Sequence, residues 1–170
     1  MNEFDKINDD ILSSLSSFTK RLEDAASDRF NQIRGCSFFD PVPSEFLSEI
    51  VEKTRIVTFH AGAKIATEQD ILRPFYVLIF GTASVQINHK KIGRIQSGEC
   101  LGESAFFTRE APTRSATVIA ESEVIAVEMG PTEIDSITDP ARIFLDKALL
   151  LALFKKLQSA NKQLTLLLHD

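Results

Sequence analysis

Glu103 and Arg114 stand eleven residues apart in GECLGESAFFTREAPTRSATV, residues 98–118, and their side chains have complementary chemistry. A carboxylate accepts hydrogen bonds from single or vicinal hydroxyls. A guanidinium is permanently charged and forked, so it matches a phosphate gripped by two parallel bonds. Gly98 and Gly102 permit tight turns and let a ligand approach main-chain N–H groups closely. The SAFF segment after Glu103 can open a short helix whose first N–H groups favour an anion. Ser115 adds a hydroxyl donor, and Ala116 leaves room. A carboxylate for a sugar and an arginine for a phosphate together describe a nucleotide site.

Taken singly, these residues have plainer roles. An isolated arginine usually pairs with a surface carboxylate, and Glu103 alone would be an exposed turn glutamate. Cys100 has no neighbouring histidine or second cysteine to activate it, so it reads as a buried thiol. His60, His89 and His169 lie far apart, without metal-ligand spacing, so no metal or other cofactor is expected. A metal-dependent barrel enzyme would need a clustered His/Glu set. No phosphate-binding Walker loop, serine nucleophile elbow or His-Glu-x-x-His motif occurs either. The chain is therefore not expected to be an enzyme.

The elements that must position this pair follow from composition and periodicity. The chain has 170 residues, of which 44% are hydrophobic and 25% charged, enough for one domain with a real core. A net charge of −5 speaks against non-specific attraction to nucleic acid or an anionic membrane. Two cysteines make no disulfide framework, and the polar, acidic first ten residues carry no secretion signal. Ala148–Phe154 is too short to cross a bilayer. A reducing cytoplasm is the simple reading.

Residues 4–33 place Phe4, Ile7, Ile11, Leu15, Phe18 and Leu22 at steps of three and four, continuing through Ala26 to Phe30 and Ile33. This predicts a long helix that packs on its own domain or on a sister subunit, with partner docking as the sharper alternative. A short helix is expected from Ser44, with Ser44 as its N-cap. From Arg55 to Met129 the texture changes to short alternating runs: RIVTFH, KIATEQ, FYVLIFG, ASVQINH, KIGRI, ATVIA and EVIAVEM. Glycines punctuate them, which predicts an antiparallel sandwich or barrel. Beyond Pro140, Ile143, Leu150, Leu157 and Leu164 repeat every seven residues. Leu153, Ala160 and Leu167 follow three places after the last three, making a heptad seam. Leu149, Ala152 and Phe154 form a second apolar edge, so this helix should touch its own domain and another helix at once.

From Cys36 onward the chain resembles the cyclic nucleotide-binding domain family, shared by catabolite activator-type regulators, protein kinase A regulatory subunits and nucleotide-gated channels. The similarity rests on FFDPVPSEFLSEIVEKTRIVTFHAGAKIATEQD, on FYVLIFGTASVQ with Gly81, and above all on GECLGESA and APTRSATVIA. The resemblance implies a jelly-roll-like β-roll (a double-stranded β-helix), mainly β, with N-terminal helices and a long C-terminal helix. It divides the chain into an N-terminal helical extension (1–35), a ligand-binding roll (36–138) and a C-terminal dimerisation or lid helix (139–170).

Carried over by position, the resemblance implies that Glu103 binds the ribose 2′-hydroxyl and Arg114 the cyclic phosphate. Leu101, Gly102, Ser104 and Ala105 would line the ribose and phosphate, with Ser115 and Ala116 supporting Arg114. FKKLQSANKQL would bring Ala160 or Asn161 near the base. Ser115 after the arginine is similar to bacterial cyclic AMP receptors, so cyclic AMP is expected ahead of cyclic GMP. Many members have two fewer residues between glutamate and arginine, and a glycine where Arg109 and Glu110 stand here. The expected function is a cytoplasmic, non-catalytic cyclic nucleotide receptor, a homodimer through the C-terminal helix, acting on a downstream protein not specified by the sequence. It is not expected to bind DNA or a membrane. The alternatives are the sensor part of a longer catabolite activator-type transcription regulator, or a domain that has lost its ligand and serves in dimerisation or docking.

Overall fold

The structure is a computed structural model that describes residues 3–71, 74–103 and 113–167, with side chains from Leu12 to Leu166 within those spans. Helix α1 (Glu3–Arg34) leads through a 3-10 turn at Ser37–Phe39 into α2 (Ser44–Lys53). The described strands are β1 (Arg55–Phe59), β2 (Lys64–Ala66), β3 (Phe75–Phe80), β4 (Thr82–Ile87), β5 (Lys90–Gln96), β6 (Cys100–Leu101), β7 (Thr117–Ala120) and β8 (Val124–Met129). Two helices close the chain, α3 (Pro131–Asp135) and α4 (Asp139–Leu167). The strands form two antiparallel sheets, in the orders β1-β8-β3-β6 and β2-β7-β4-β5. This is the expected β-roll with N-terminal helices and a long C-terminal helix.

Strand alternation builds two cores. On β3, Tyr76 and Leu78 point between the sheets, whereas Phe75 and Val77 point to the helices. On β8, Val124 and Ala126 face inward while Val127 and Met129 face the helices. A period of two divides these apolar runs between the roll interior and a helical cover. The seven alternating runs become β1 to β5, β7 and β8. Only the two-residue β6, too short to alternate, has no counterpart among them. Gly81 turns β3 into β4 with φ +89°, and a Cβ there would collide with the Glu123 carbonyl oxygen. Only glycine fits that corner.

The helices lock onto the first sheet through Phe39, Leu47, Ile50, Leu145 and Leu149, all fully buried. Pro43, rather than Ser44, holds the N-cap position of α2, and its carbonyl accepts from the N–H groups of Phe46 and Leu47. No side-chain cap hydrogen bond is made there. At the other end, Arg29 of α1 donates to the carbonyls of Val51 (3.1 Å) and Thr54 (2.7 Å), satisfying oxygens left over at the end of α2. Glu49 of α2 accepts from the Thr138 N–H at 2.6 Å and from its hydroxyl at 2.7 Å, tying α2 to the start of α4.

Both long helices leave the core with apolar stripes exposed. Phe30 and Ile33 of α1 pack on the domain, but Leu12, Leu15, Phe18 and Leu22 are all more than half exposed. Among the described side chains of α1, packing on its own domain is thus confined to the last turns. On α4, Ala141, Leu145, Ala148 and Leu149 are buried, whereas Ile143, Leu150, Leu157 and Leu164 form an exposed seam. Phe154, expected on the core edge with Leu149 and Ala152, is 55% exposed. By that point α4 has passed the edge of the helical core.

Candidate functional site

Pairing of β6 with β3, Leu101 opposite Tyr76 and Cys100 opposite Val77, sets where the chain turns at Gly102 and presents Glu103. Arg114 arrives from the other side. Its N–H donates to the Asp70 carbonyl (3.3 Å) and its carbonyl accepts from the Gln69 N–H (2.8 Å), fastening it to the 67–70 turn. Three residues later the Thr117 hydroxyl oxygen accepts from the Glu68 N–H at 3.1 Å. The Arg114 side chain then reaches back, and Nη2 donates to the Pro74 carbonyl at 2.6 Å. It lies against Gly102, which has φ +84° and whose missing Cβ would run into Nη1. Gly102 therefore makes room for the guanidinium as well as for the turn.

Between the second sheet, the Leu101–Glu103 corner and α4 lies a cavity of about 430 Å³. That size suits a small organic ligand. Ala66, Val85, Ile92, Ile95 and Val118 give it an apolar wall, and Glu103, Arg114 and Ser115 stand on the polar side. From α4 the cavity receives Lys156, Ser159, Ala160 and Gln163. Lys156 Nζ donates to Glu103 Oε1 at 2.8 Å, with the two side chains 31% and 23% exposed. Arg94 and Glu99 also line the cavity but are held within the roll. Arg94 pairs with Glu121 at 2.6 Å, and Glu99 accepts from the Gln96 N–H at 2.8 Å.

Burial lowers the pKa of Arg114 from its usual value, while Tyr76, Asp70 and Glu103 pull the other way. An arginine stays charged through such a change. The site thus combines a fixed cation, a carboxylate and an apolar wall, which suits a ligand with an anionic group, a hydroxyl and a flat apolar part. Beside it, Cys100 is wholly buried, and burial pushes its thiol up to about 12. It stays protonated and inert, as expected. Among the described residues no group of His, Cys, Asp and Glu could hold a metal ion.

Residues 56–139 match the cyclic nucleotide-binding domain. That segment belongs to the cyclic nucleotide-binding domain family. A cGMP-dependent protein kinase of Eimeria tenella is 28% identical over 124 residues, which is 71% of this chain and 12% of that kinase. The chain thus spans only about an eighth of the curated relative. A cyclic nucleotide-binding domain from Methylobacillus flagellatus superposes with a TM-score of 0.71 at 13% identity, covering 81% of this chain and 83% of that one. The regulatory domain of Toxoplasma gondii PKA, solved with cAMP, gives 0.58 at 18% identity over 72% of this chain and 48% of that one. At these identities the solved structures speak to the fold.

Within this cyclic nucleotide-binding domain, Leu101, Gly102, Glu103, Arg114, Ser115 and Ala116 all line the one cavity. Ser104 and Ala105 lie outside the described residues, as do the SAFF helix and the longer loop with Arg109 and Glu110. Asn161, expected beside the base, is exposed and outside the cavity lining. A step of 100° per residue turns it away from the face that carries Ala160. Lys156, Ser159 and Gln163, absent from the expected set, share that face with Ala160 at spacings of three, four and seven. The spacing was visible in FKKLQSANKQL. What was missing was which face of α4 looks at the roll.

Proposed function

We propose that this chain is a cytoplasmic, non-catalytic receptor for a cyclic nucleotide, with cyclic AMP preferred over cyclic GMP. The observation that carries the reading is the convergence of Glu103 and Arg114 on one cavity whose glycine corner is shaped around the guanidinium. Glu103 takes the ribose 2′-hydroxyl, and Arg114 takes the cyclic phosphate with Ser115 and Ala116 beside it. Gly102, Ser104 and Ala105 offer backbone groups to ribose and phosphate, and Leu101 packs below them. The base lies under Ser159, Ala160 and Gln163. An amide such as Gln163 can satisfy either purine by rotating, so the preference for cyclic AMP is modest. Ser115 supports that preference, whereas the curated relative is named for cyclic GMP and the Toxoplasma neighbour was solved with cyclic AMP.

On this reading α4 serves as lid and dimer contact, joining two copies through the exposed Ile143–Leu150–Leu157–Leu164 seam. The exposed α1 stripe of Leu12, Leu15, Phe18 and Leu22 is left for a sister subunit or a downstream protein. Calorimetry with each nucleotide tests the reading. Wild-type protein should bind, and Arg114→Ala should bind about 10- to 100-fold more weakly, because charge-assisted hydrogen bonds contribute about 1.5–3 kcal/mol each. Absence of heat with either nucleotide at high concentration would overturn it and leave dimerisation or docking as the domain's role.

A further inference from the structure

Gly93 lies within β5 and lines the cavity. In register it stands opposite Val85 of β4, and two residues on Ile95 stands opposite Ala83. Ala83 and Ile95 belong to the core inside the roll, and Val85 packs against it. Strand alternation puts the missing side chain of Gly93 on that same inward face. Arg94, between Gly93 and Ile95, falls on the other face, where it bonds Glu121. At Gly81 and Gly102 an added Cβ would strike neighbouring atoms, but at Gly93 it would meet no atom within 4 Å among the described residues. Gly93 is also absent from the glycines with positive φ, so no left-handed backbone calls for it. The strand can carry a side chain here, and what the glycine keeps open is the cavity.

The cavity wall divides by chemistry. Glu103, Arg114 and Ser115 make its polar side, whereas Val85, Ile92 and Ile95 give β4 and β5 an apolar one. With the sugar and phosphate on the polar side, the flat base is left to the apolar side, where Gly93 stands. Resting on the nucleotide-receptor reading, we propose that Gly93 is a specificity-determining residue: the space it leaves open admits the farther ring of a purine, so that purine cyclic nucleotides are selected over pyrimidine ones by size. A pyrimidine on the same sugar stops short of that space and leaves its lining without partner atoms. A side chain at residue 93 would fill the space first and exclude the purine.

Titration calorimetry of cyclic AMP and cyclic CMP into wild-type protein, Gly93→Ala and Gly93→Val tests this assignment. Sugar and phosphate are common to both ligands, so changes at their end cancel in the ratio of dissociation constants. Wild-type protein should bind cyclic AMP more tightly. That preference should shrink about three- to tenfold in Gly93→Ala and about tenfold or more in Gly93→Val, as expected when methyl groups are forced into a filled space. Cyclic CMP should bind each variant about as tightly as wild type. Melting temperatures should hold or rise, because glycine weakens a strand interior and the new side chain meets no protein atom. A ratio unchanged in both variants, or wild-type protein that does not prefer cyclic AMP to cyclic CMP, overturns the role of Gly93 and leaves the receptor reading standing. A lowered melting temperature in Gly93→Ala also overturns it, since the space would then not be open. Wild-type protein that binds neither of these nucleotides nor cyclic GMP overturns both.

Discussion

Replacing Gly102 by alanine tests how Arg114, the arginine proposed to take the phosphate, is held. The backbone there has φ +84°, where an L-residue costs about 1–2 kcal/mol. The added Cβ would run into Arg114 Nη1, and would stand 3.2 Å from Cζ and 2.9 Å from the Pro74 oxygen. The guanidinium must therefore move, which breaks its 2.6 Å bond to that carbonyl and adds about 1–2 kcal/mol. Together these predict a loss of about 2–4 kcal/mol, or roughly 5–15 °C in melting temperature for a domain of this size. Binding should fall about 10- to 100-fold, because the charge no longer stands where the phosphate arrives. Scanning calorimetry reads the first number and titration calorimetry the second. A cycle with Arg114→Ala isolates the cause. Without the guanidinium, Gly102→Ala should cost only the backbone strain and the close approach to the Pro74 oxygen, so the two changes should be non-additive. Additive losses, or a Gly102→Ala variant that binds cyclic AMP like wild type, would refute the seating of Arg114 on this glycine.

Three further outcomes follow from the same structure. Leu157→Asp should leave the monomer folded, since Leu157 is 58% exposed, yet should abolish a dimer by burying an unpaired carboxylate at a cost of several kcal/mol. Light scattering should then show a monomer, and an unchanged dimer would move the contact to α1 with Phe18 and Leu22. In direct competition cyclic AMP should win over cyclic GMP by a modest factor, and tighter cyclic GMP binding would reverse that assignment. Hydrogen bonds from the Thr138 N–H and hydroxyl lower the Glu49 pKa from its ordinary 4.5. A depressed folded value means that this stabilisation is complete above 4.5 and is lost as pH falls from there through the lowered value. Thermal melts of Glu49→Gln should therefore lose less stability than wild type over that acid range, and parallel curves would exclude the link.

Much of the fold was legible because burial on two faces leaves a mark in every strand. Tyr76 and Leu78 alternate with Phe75 and Val77 whichever sheet they join. Glu103 and Arg114 were legible for a different reason: their side-chain types are those that a sugar and a phosphate would call for, and glycines stand beside the carboxylate. Lys156 was not legible as part of the site. A lysine on an amphipathic helix reads as solvated, and only its approach to Glu103, 53 residues away in sequence, gives it a partner. Asn161 was misplaced because helical periodicity fixes relative angles along α4 but not the angle at which α4 lies on the roll.

By itself the sequence determined every described strand but β6, the long helices at either end, the heptad seam and the pair Glu103 and Arg114. These depend on local periods and on side-chain chemistry, which the chain carries wherever it folds. Tertiary structure decided that β6 pairs with β3 and so aims Glu103 at the cavity. It decided that Gly102 serves the arginine as much as the turn, and that Lys156 pairs with Glu103. It also decided that the stripes of α1 and α4 stay uncovered by their own domain. Each of these is a contact between segments distant in sequence, set by how sheets and helices pack together, and no local period encodes such a meeting.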